Sequence, residues 1–534
     1  MDITSVQSIH RKQKSWTMEQ ANEILEYLRD VASHVEAAAV ANDDDGKDNN
    51  KEDKLGLWND RIEDLIFGSM EEQLVALPKS FTESEYQVLV TVSKELHRHF
   101  LETLLPTASD DGDVNVDVKI DNMIKSCHID VLSRERRRFY QLIRAVRNWM
   151  RFYLQIYPIL EASRLSTDGL VGVFQQTYML KLYLHLAEHL LPEQPVLARY
   201  AALILFYAAF YPVPSVNTRR VMQFLVQDLD MPKRVLHLYL RTDSIAFVLA
   251  LTQNIHNLVG SAPEAVSTIQ SVRVGADETS SSCPWVPSGE NQVSYRAVWD
   301  RLLEFCLTDH SLSDFPGDKE DYRAELVGEI LRTLFAIRIG SNLTTSEQRL
   351  VPLIFQLDMS DPRSVECQRS VMTLLTEADA SVAIILANES MEALLKLLEL
   401  QIDTVVTTSR IDDAAAASLT PILVIFYRFC QLDANFLQQT RQTVFPNGTV
   451  PNNTVDNNST NYMLPADAPD GTLRHKLIRL LTWPQGYIKR FAAEILWQLC
   501  HSNPQEFGRS VGMGNALPFL AAKGFAQMPS GVIQ

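Results

Sequence analysis

Apolar residues return every three to four positions through most of this 534-residue chain, and the two-residue alternation of paired strands is nearly absent. The stripes predict helices over roughly 17–39, 56–76, 82–105, 133–160, 170–191, 196–211, 217–228, 244–259, 293–307, 320–337, 344–357, 364–387, 390–406, 411–443, 472–482 and 487–500. Two of these open on a capping box, in which a Thr hydroxyl and a Glu carboxylate three residues on satisfy each other's backbone N–H groups. The pairs are Thr82 with Glu85 and Thr344 with Glu347. Gaps between blocks are mostly short, as between antiparallel neighbours. No strict residue-level repeat is present, but helix pairs and triplets recur about every 40 residues, the armadillo/HEAT period. So many helices cannot share one bundle core, whereas stacking them buries a continuous one. The expected fold is all-α: an armadillo/HEAT-like right-handed helical solenoid with disordered loops.

Four stretches break the texture. Residues 41–54 (ANDDDGKDNNKEDK) and 107–118 read as polar, acidic loops. Residues 273–292 form a Ser/Gly/Pro loop that separates an N-terminal helical-repeat half (1–272) from a C-terminal half (293–534). Within the latter, the Asn- and Pro-rich stretch 446–471 reads as a disordered insert.

Composition narrows the function classes. Apolar residues make up 46% and charged residues 22%, which are globular values, so disorder throughout is excluded. Forty-nine basic against 66 acidic residues give a net charge of −17, the wrong sign for a phosphate-backbone binder. An acidic surface instead suits basic patches on a partner. The six cysteines contain no CxxC pair, which argues against a zinc site or a disulfide framework and fits inert core thiols in a reducing compartment. No signal-peptide pattern opens the chain. The longest apolar run, 201–211, is too short to span a bilayer, for which about 20 residues are needed. The Asn-x-Ser/Thr triplets at Asn447 and Asn458 carry no glycan argument without a secretion route. The expectation is a cytoplasmic monomer with no integral membrane segment and no nucleic-acid partner.

Candidate chemistry is thin. Asp43, Asp45, Gly46 and Glu52 fall at offsets 3, 5, 6 and 12 of a calcium loop, but Ala41 at the first offset offers no side-chain oxygen, so a solvated acidic linker fits better. Cys127 and His128 are adjacent, point about 100° apart on a helix and have no orienting carboxylate. Walker, GxGxxG, HExxH and GxSxG motifs are absent. No catalytic residue, metal ligand or cofactor is expected, and the reading favours a binding protein over an enzyme.

Two helices carry candidate contacts. In 133–154, Phe139, Leu142, Ile143, Val146, Trp149, Met150 and Tyr153 form an apolar stripe. Arg137, Arg144, Arg147 and Arg151 lie off it, giving either a solvated, locally paired face or a docking surface for an acidic partner. The segment Asn254-Ile255-His256-Asn257-Leu258-Val259 resembles the groove-lining helix of an armadillo repeat, where Asn254 or Asn257 bonds the backbone of a bound segment or is satisfied locally.

The C-terminal stretch is the most specific. It runs Leu473-Arg474-His475-Lys476-Leu477-Ile478-Arg479-Leu480-Leu481-Thr482, then Ile488-Lys489-Arg490-Phe491-Ala492-Ala493-Glu494-Ile495-Leu496, then Gly512-Met513-Gly514-Asn515-Ala516, then Leu520-Ala521-Ala522-Lys523-Gly524. This order resembles the synembryn family, whose pattern reads LRxKLxRLxT, VKRxAAExLFxLC and GYGNAxxLLAARG. The residues that carry the match are Arg474, Lys476, Lys489, Arg490, Glu494, Gly512, Gly514, Asn515 and Gly524. Upstream, residues 329–335 (EILRTLF) resemble the family's EILKVLFNIT helix, and 443–446 (TVFP) its QVLPP turn. The likeness is collinear over about 320–525, with Ala336, Met513 and Pro518 as departures.

The resemblance implies a cytosolic chaperone and guanine-nucleotide exchange factor for heterotrimeric G-protein α subunits, brought to the plasma membrane through that partner. A concave solenoid surface would hold the partner's C-terminal helix and favour its nucleotide-free state, with Arg332 and Phe335 among the lining residues. The family continues past Gly524 with an acidic segment, and this chain stops at Gln534, so α-subunit binding is expected before exchange. The alternative is a generic armadillo/HEAT adaptor without exchange activity.

Overall fold

The computed structural model describes residues 83–104, 136–165, 170, 172–191, 194–210, 218–275, 285, 292–308, 322–337, 343–407, 413–446 and 471–525. The helices expected at 17–39 and 56–76, both acidic loops, Cys127 with His128, and nearly all of the 446–471 insert lie outside these residues. Within them the chain is almost wholly helical, as the 3.6-residue stripes predict. The exception is a two-residue antiparallel pair, β1 (Val274–Gly275) and β2 (Gln292–Val293), with Val274 opposite Val293. The chain falls into two compact units: Met1–Arg301 with Ser311–Tyr322, and Leu302–His310 with Arg323–Gln534.

The first unit contains α1 (Glu83–Leu104), α2 (Arg136–Ala162), α3 (Thr177–Leu190), α4 (Pro195–Phe210), α5 (Thr218–Gln223), α6 (Met231–Tyr239), α7 (Ile245–Ser261) and α8 (Pro263–Ser271). Its centre is α4, whose sequence PVLARYAALILFYAAF is apolar on almost every side. A helix of that kind must be enclosed rather than lie on a surface. Accordingly α2, α3 and α7 all pack on it, and Ala198, Ala201, Ala202, Ile204 and Ala208 are fully buried. Alanine side chains let the neighbouring backbones come close, and the Asn254 amide of α7 uses this to donate to the Ala202 carbonyl.

Within the stretch 273–292, expected to be a dividing loop, Trp285 is placed in this first unit. Trp285 is fully buried and its indole N–H donates to the Tyr239 carbonyl at 2.8 Å. The tie is physically reasonable, because burying an indole removes a large apolar area from water provided its N–H finds an acceptor.

The second unit contains the end of α9 (Tyr295–Thr308), then α10 (Arg323–Ala336), α11 (Thr345–Phe355), α12 (Pro362–Glu377), α13 (Ala380–Glu389), α14 (Met391–Thr407), α15 (Asp413–Leu432), α16 (Ala434–Val444), α17 (Leu473–Leu480), α18 (Gly486–Leu499), α19 (Pro504–Val511) and α20 (Met513–Ala522). Here α10 packs on α12, α12 on α15, and α15 on α18, forming a row within the unit. The other helices flank the row. Thr344 makes the expected capping box, its hydroxyl accepting from Glu347 N–H at 3.0 Å while its own N–H donates to the Glu347 carboxylate at 2.6 Å. Two blocks that read as continuous are broken by aspartate caps. Asp379 accepts from Ser381 N–H to start α13, and Asp433 accepts from Phe436 N–H to start α16.

Candidate protein-binding surface

Each helix of the α10–α12–α15–α18 row buries one stripe and leaves a second, half-buried stripe outward. On α18, Ile488, Ala492, Ile495, Leu496 and Leu499 are buried, whereas Tyr487, Lys489 and Arg490 are exposed. On α10 the outward positions include Arg332, Phe335 and Ala336. On α12 they are Glu366, Arg369, Thr373 and Thr376, and on α15 Val424, Tyr427 and Arg428. On α10, α12 and α15 the members lie three or four apart or side by side, so each set marks one helix face, whereas on α18 Tyr487 and Arg490 are three apart and Lys489 points to another side.

Contacts stitch these stripes into one surface. The Arg332 guanidinium pairs with Glu329 on its own helix and reaches Glu366 of α12 at 3.1 Å. Glu366 in turn meets Arg369 at 3.5 Å. Burial works against the Arg332 charge, yet the neighbouring carboxylates more than offset this and hold its pKa above the ordinary value. Arg428 donates from α15 to the Thr376 carbonyl of α12 at 3.1 Å. The Tyr427 and Phe491 rings meet at 5.8 Å between α15 and α18. The result is a band of arginine, carboxylate and aromatic groups held in place by their neighbours, a mixture suited to gripping a peptide-like segment.

The remaining motif residues are mostly fasteners. Lys476 sits between Glu399 and Asp403 of α14, 2.7 Å from each. Burial alone would lower its pKa, and the two hydrogen-bonded carboxylates raise it instead. Arg474 donates to the Ser510 carbonyl at the end of α19, at 2.7 Å from Nη2, and partial burial lowers its pKa. Its guanidinium also lies over the Phe445 ring. Glu494 is buried and paired with Lys523. Gly512, at φ 86° and ψ 135°, turns the chain between α19 and α20 where a side chain would be strained. Asn515 donates to the Val511 carbonyl, and Gly514 is exposed. Gly524, at φ 83°, closes α20 with Phe525 N–H donating to Leu520 O and Gly524 N–H to Ala521 O, the paired bonds of a Schellman cap. Of the nine motif positions, Lys489 and Arg490 are the exposed charges.

In the first unit the outcome is mixed. Arg144, Arg147 and Arg151 on α2 are half-buried, and Arg147 bonds Asn148 while its guanidinium covers the Tyr200 ring of α4 at 4.5 Å. That arrangement places Arg147 in an internal contact of the unit. The expectation that Asn254 faces a partner is corrected. It is 1% exposed, and its amide donates to the carbonyls of Ala202 and Ala250, making it a strut between α7 and α4. Asn257 is half-buried on the same helix. Glu366, Arg369, Tyr427 and Arg428 were not anticipated; their only sequence signal is polar or aromatic residues at the outward positions of otherwise apolar stripes. Among the described residues, no helix is long and apolar enough to cross a membrane.

Comparison with known proteins bears on the C-terminal part of the chain, which takes in the second unit and the adjoining residues of the first. Residues 292–531 match the family described as guanine nucleotide exchange factor synembryn. Chaperone Ric-8A of Xenopus laevis is 47% identical over 53 residues, and the Mus musculus and Bos taurus proteins of that name are 46% identical over 52. Each of these alignments covers 10% of this chain and 10% of the relative.

Proposed function

From the premise that residues 292–531 carry a synembryn-family domain, we propose that this protein binds G-protein α subunits as a chaperone and guanine-nucleotide exchange factor. In this reading the helix row continues as a right-handed armadillo/HEAT-like solenoid, and its arginine–aromatic band receives the C-terminal helix of the α subunit. The observation that carries the reading is the chain of contacts Arg332–Glu366, Arg428–Thr376 and Tyr427–Phe491, which links α10, α12, α15 and α18 within the matched residues. The mechanism is differential binding. A surface that captures the partner's helix away from its own fold favours the nucleotide-free state, with a coupling of roughly 1–3 kcal/mol sufficing for a 5–150-fold shift in nucleotide affinity. No bond-making side chain is required. The protein would act in the cytoplasm and reach the plasma membrane through its partner.

The test pairs two measurements: titration of a peptide matching the α subunit's C-terminal helix, and the rate of GDP release from the intact subunit. Micromolar peptide binding with accelerated release supports the full reading. Binding without faster release leaves a chaperone-like holder. Binding of neither ligand returns the protein to the adaptor class.

A further inference from the structure

Away from that band, α3 carries His185, Glu188 and His189. Offsets of zero, three and four place all three on one helical face. Their potential ligand atoms lie within 4.8 Å of one another. The imidazole rings sit 3.7 Å apart between centroids, inclined by 36°. His189 Nδ1 is 3.1 Å from the His185 backbone carbonyl. A histidine that donates from Nδ1 to a carbonyl presents Nε2 as its lone-pair nitrogen, the arrangement in which imidazoles bind metals. The Glu188 carboxylate is gripped by the Arg234 guanidinium of α6, with Nε to Oε1 at 2.6 Å and Nη2 to Oε2 at 2.5 Å.

We propose that His185, Glu188 and His189 form a binding site for a divalent first-row transition metal, with Zn2+ its best fit, and that the bound cation competes with Arg234 for the Glu188 carboxylate. Two imidazoles and one carboxylate are the donors that suit Zn2+, Co2+ or Ni2+ and serve Ca2+ or Mg2+ poorly. Tetrahedral Zn–N bonds of 2.0–2.1 Å would hold the two ligating nitrogens about 3.3 Å apart, which side-chain rotation can reach from the present spacing. His185 is buried, so packing restricts its rotamer, whereas Glu188 and His189 are half-buried and accessible to an arriving ion. Competition follows from geometry, because the guanidinium engages both carboxylate oxygens. Metal capture therefore clips one turn of α3 and loosens the α3–α6 ion pair, linking metal supply to the packing of the first unit.

The experiment uses the full chain, stripped with a chelator and titrated with Co2+ while its visible d–d absorption is followed, then back-titrated with Zn2+. The chain has 12 histidines and six cysteines, so variants must assign the site. The expected result is one tight equivalent in the native protein. His189→Gln, at a half-buried position, should weaken it by at least about tenfold, the lower end of what even outer-shell changes cost. Arg234→Gln should tighten it. Far-ultraviolet circular dichroism verifies that each variant is folded. Absence of a bound equivalent, or equal affinity in folded His189→Gln, overturns the site; weaker binding in Arg234→Gln overturns the competition.

Discussion

Glu494 and Lys523 close the end of the second unit: the lysine Nζ, just past α20, lies 2.9 Å from a carboxylate on α18 that is only 10% exposed. Around them, Trp497 meets Phe507, Phe519 and Phe525 at ring separations of 5.6–5.8 Å. The ion pair and the aromatic cluster together fasten α18 to the two short helices that follow.

Removing the amine while keeping the carboxylate leaves a poorly hydrated charge. Lys523→Met should cost about 1–3 kcal/mol, less than a fully buried pair loses because the lysine is over a third exposed. Glu494→Gln, which keeps the shape and drops the charge, should cost less. Urea unfolding of both variants checks this, and equal losses would remove charge from the explanation.

Ile495 is fully buried on α18, a helix that packs on α15 and α17. Truncating it to alanine leaves a cavity in a core with little freedom to collapse. Ile495→Ala should therefore destabilise by roughly 2–5 kcal/mol. A loss within experimental error would show that this face is not packed.

The sequence carried the helical layout well where apolar periodicity and capping chemistry agree, as at Thr344. It carried less where one residue overrides the pattern. Asp379 and Asp433 split apparently continuous stripes, because a capping carboxylate starts a new helix without interrupting hydrophobicity. No predicted block covers α6, which starts behind Asp230, in the left-handed region at φ 46°, and carries Pro232 in its first turn, a residue type that usually interrupts a helical stripe. Trp285 sits among Ser, Gly and Pro, and nothing local signals that a distant carbonyl will bury it. The candidate surface was legible only in part. Arg332 and Phe335 lie on the outward stripe, whereas Asn254 lies inside, because an amide on an apolar helix reads the same whether it faces solvent or a neighbouring backbone. The His-x-x-Glu-His spacing of α3 stands in the sequence, but spacing alone does not show that Arg234, 46 residues on, grips the carboxylate.

Burial pushes the thiols of Cys367, Cys430 and Cys500 up to about 12. The thiolate is the reactive form, so these cysteines should resist a thiol reagent at pH 8 in the native protein and react once it is denatured. Linkage gives the same groups a second effect. Between their ordinary value of 9.0 and about 12 the unfolded chain releases protons that the folded chain keeps, so stability should fall as pH rises through that window. Rapid native labelling of these three, followed by mass spectrometry of the tryptic peptides, would contradict the burial.

The motif residues should separate into binders and fasteners. Arg490 is exposed on α18 beside Tyr487 and the Tyr427–Phe491 ring pair, so it can meet a partner without disturbing the core. Arg490→Glu should weaken binding of the α-subunit peptide about tenfold, roughly 1.4 kcal/mol, through lost contact and reversed charge. Its folding stability should move by no more than about 0.5 kcal/mol, the usual range for an exposed position. Lys476, by contrast, is 13% exposed between two carboxylates of α14. Lys476→Met leaves Glu399 and Asp403 repelling each other, and should cost about 1–2 kcal/mol of stability, moderated because both carboxylates reach solvent. Its peptide affinity should stay near that of the native protein under conditions where both are folded. Calorimetric titration beside urea unfolding measures the two effects on the same samples. If Arg490→Glu unfolds the protein while Lys476→Met abolishes binding, the assignment of the band as the contact surface is reversed. If neither substitution alters peptide affinity, the partner's helix binds elsewhere on the chain.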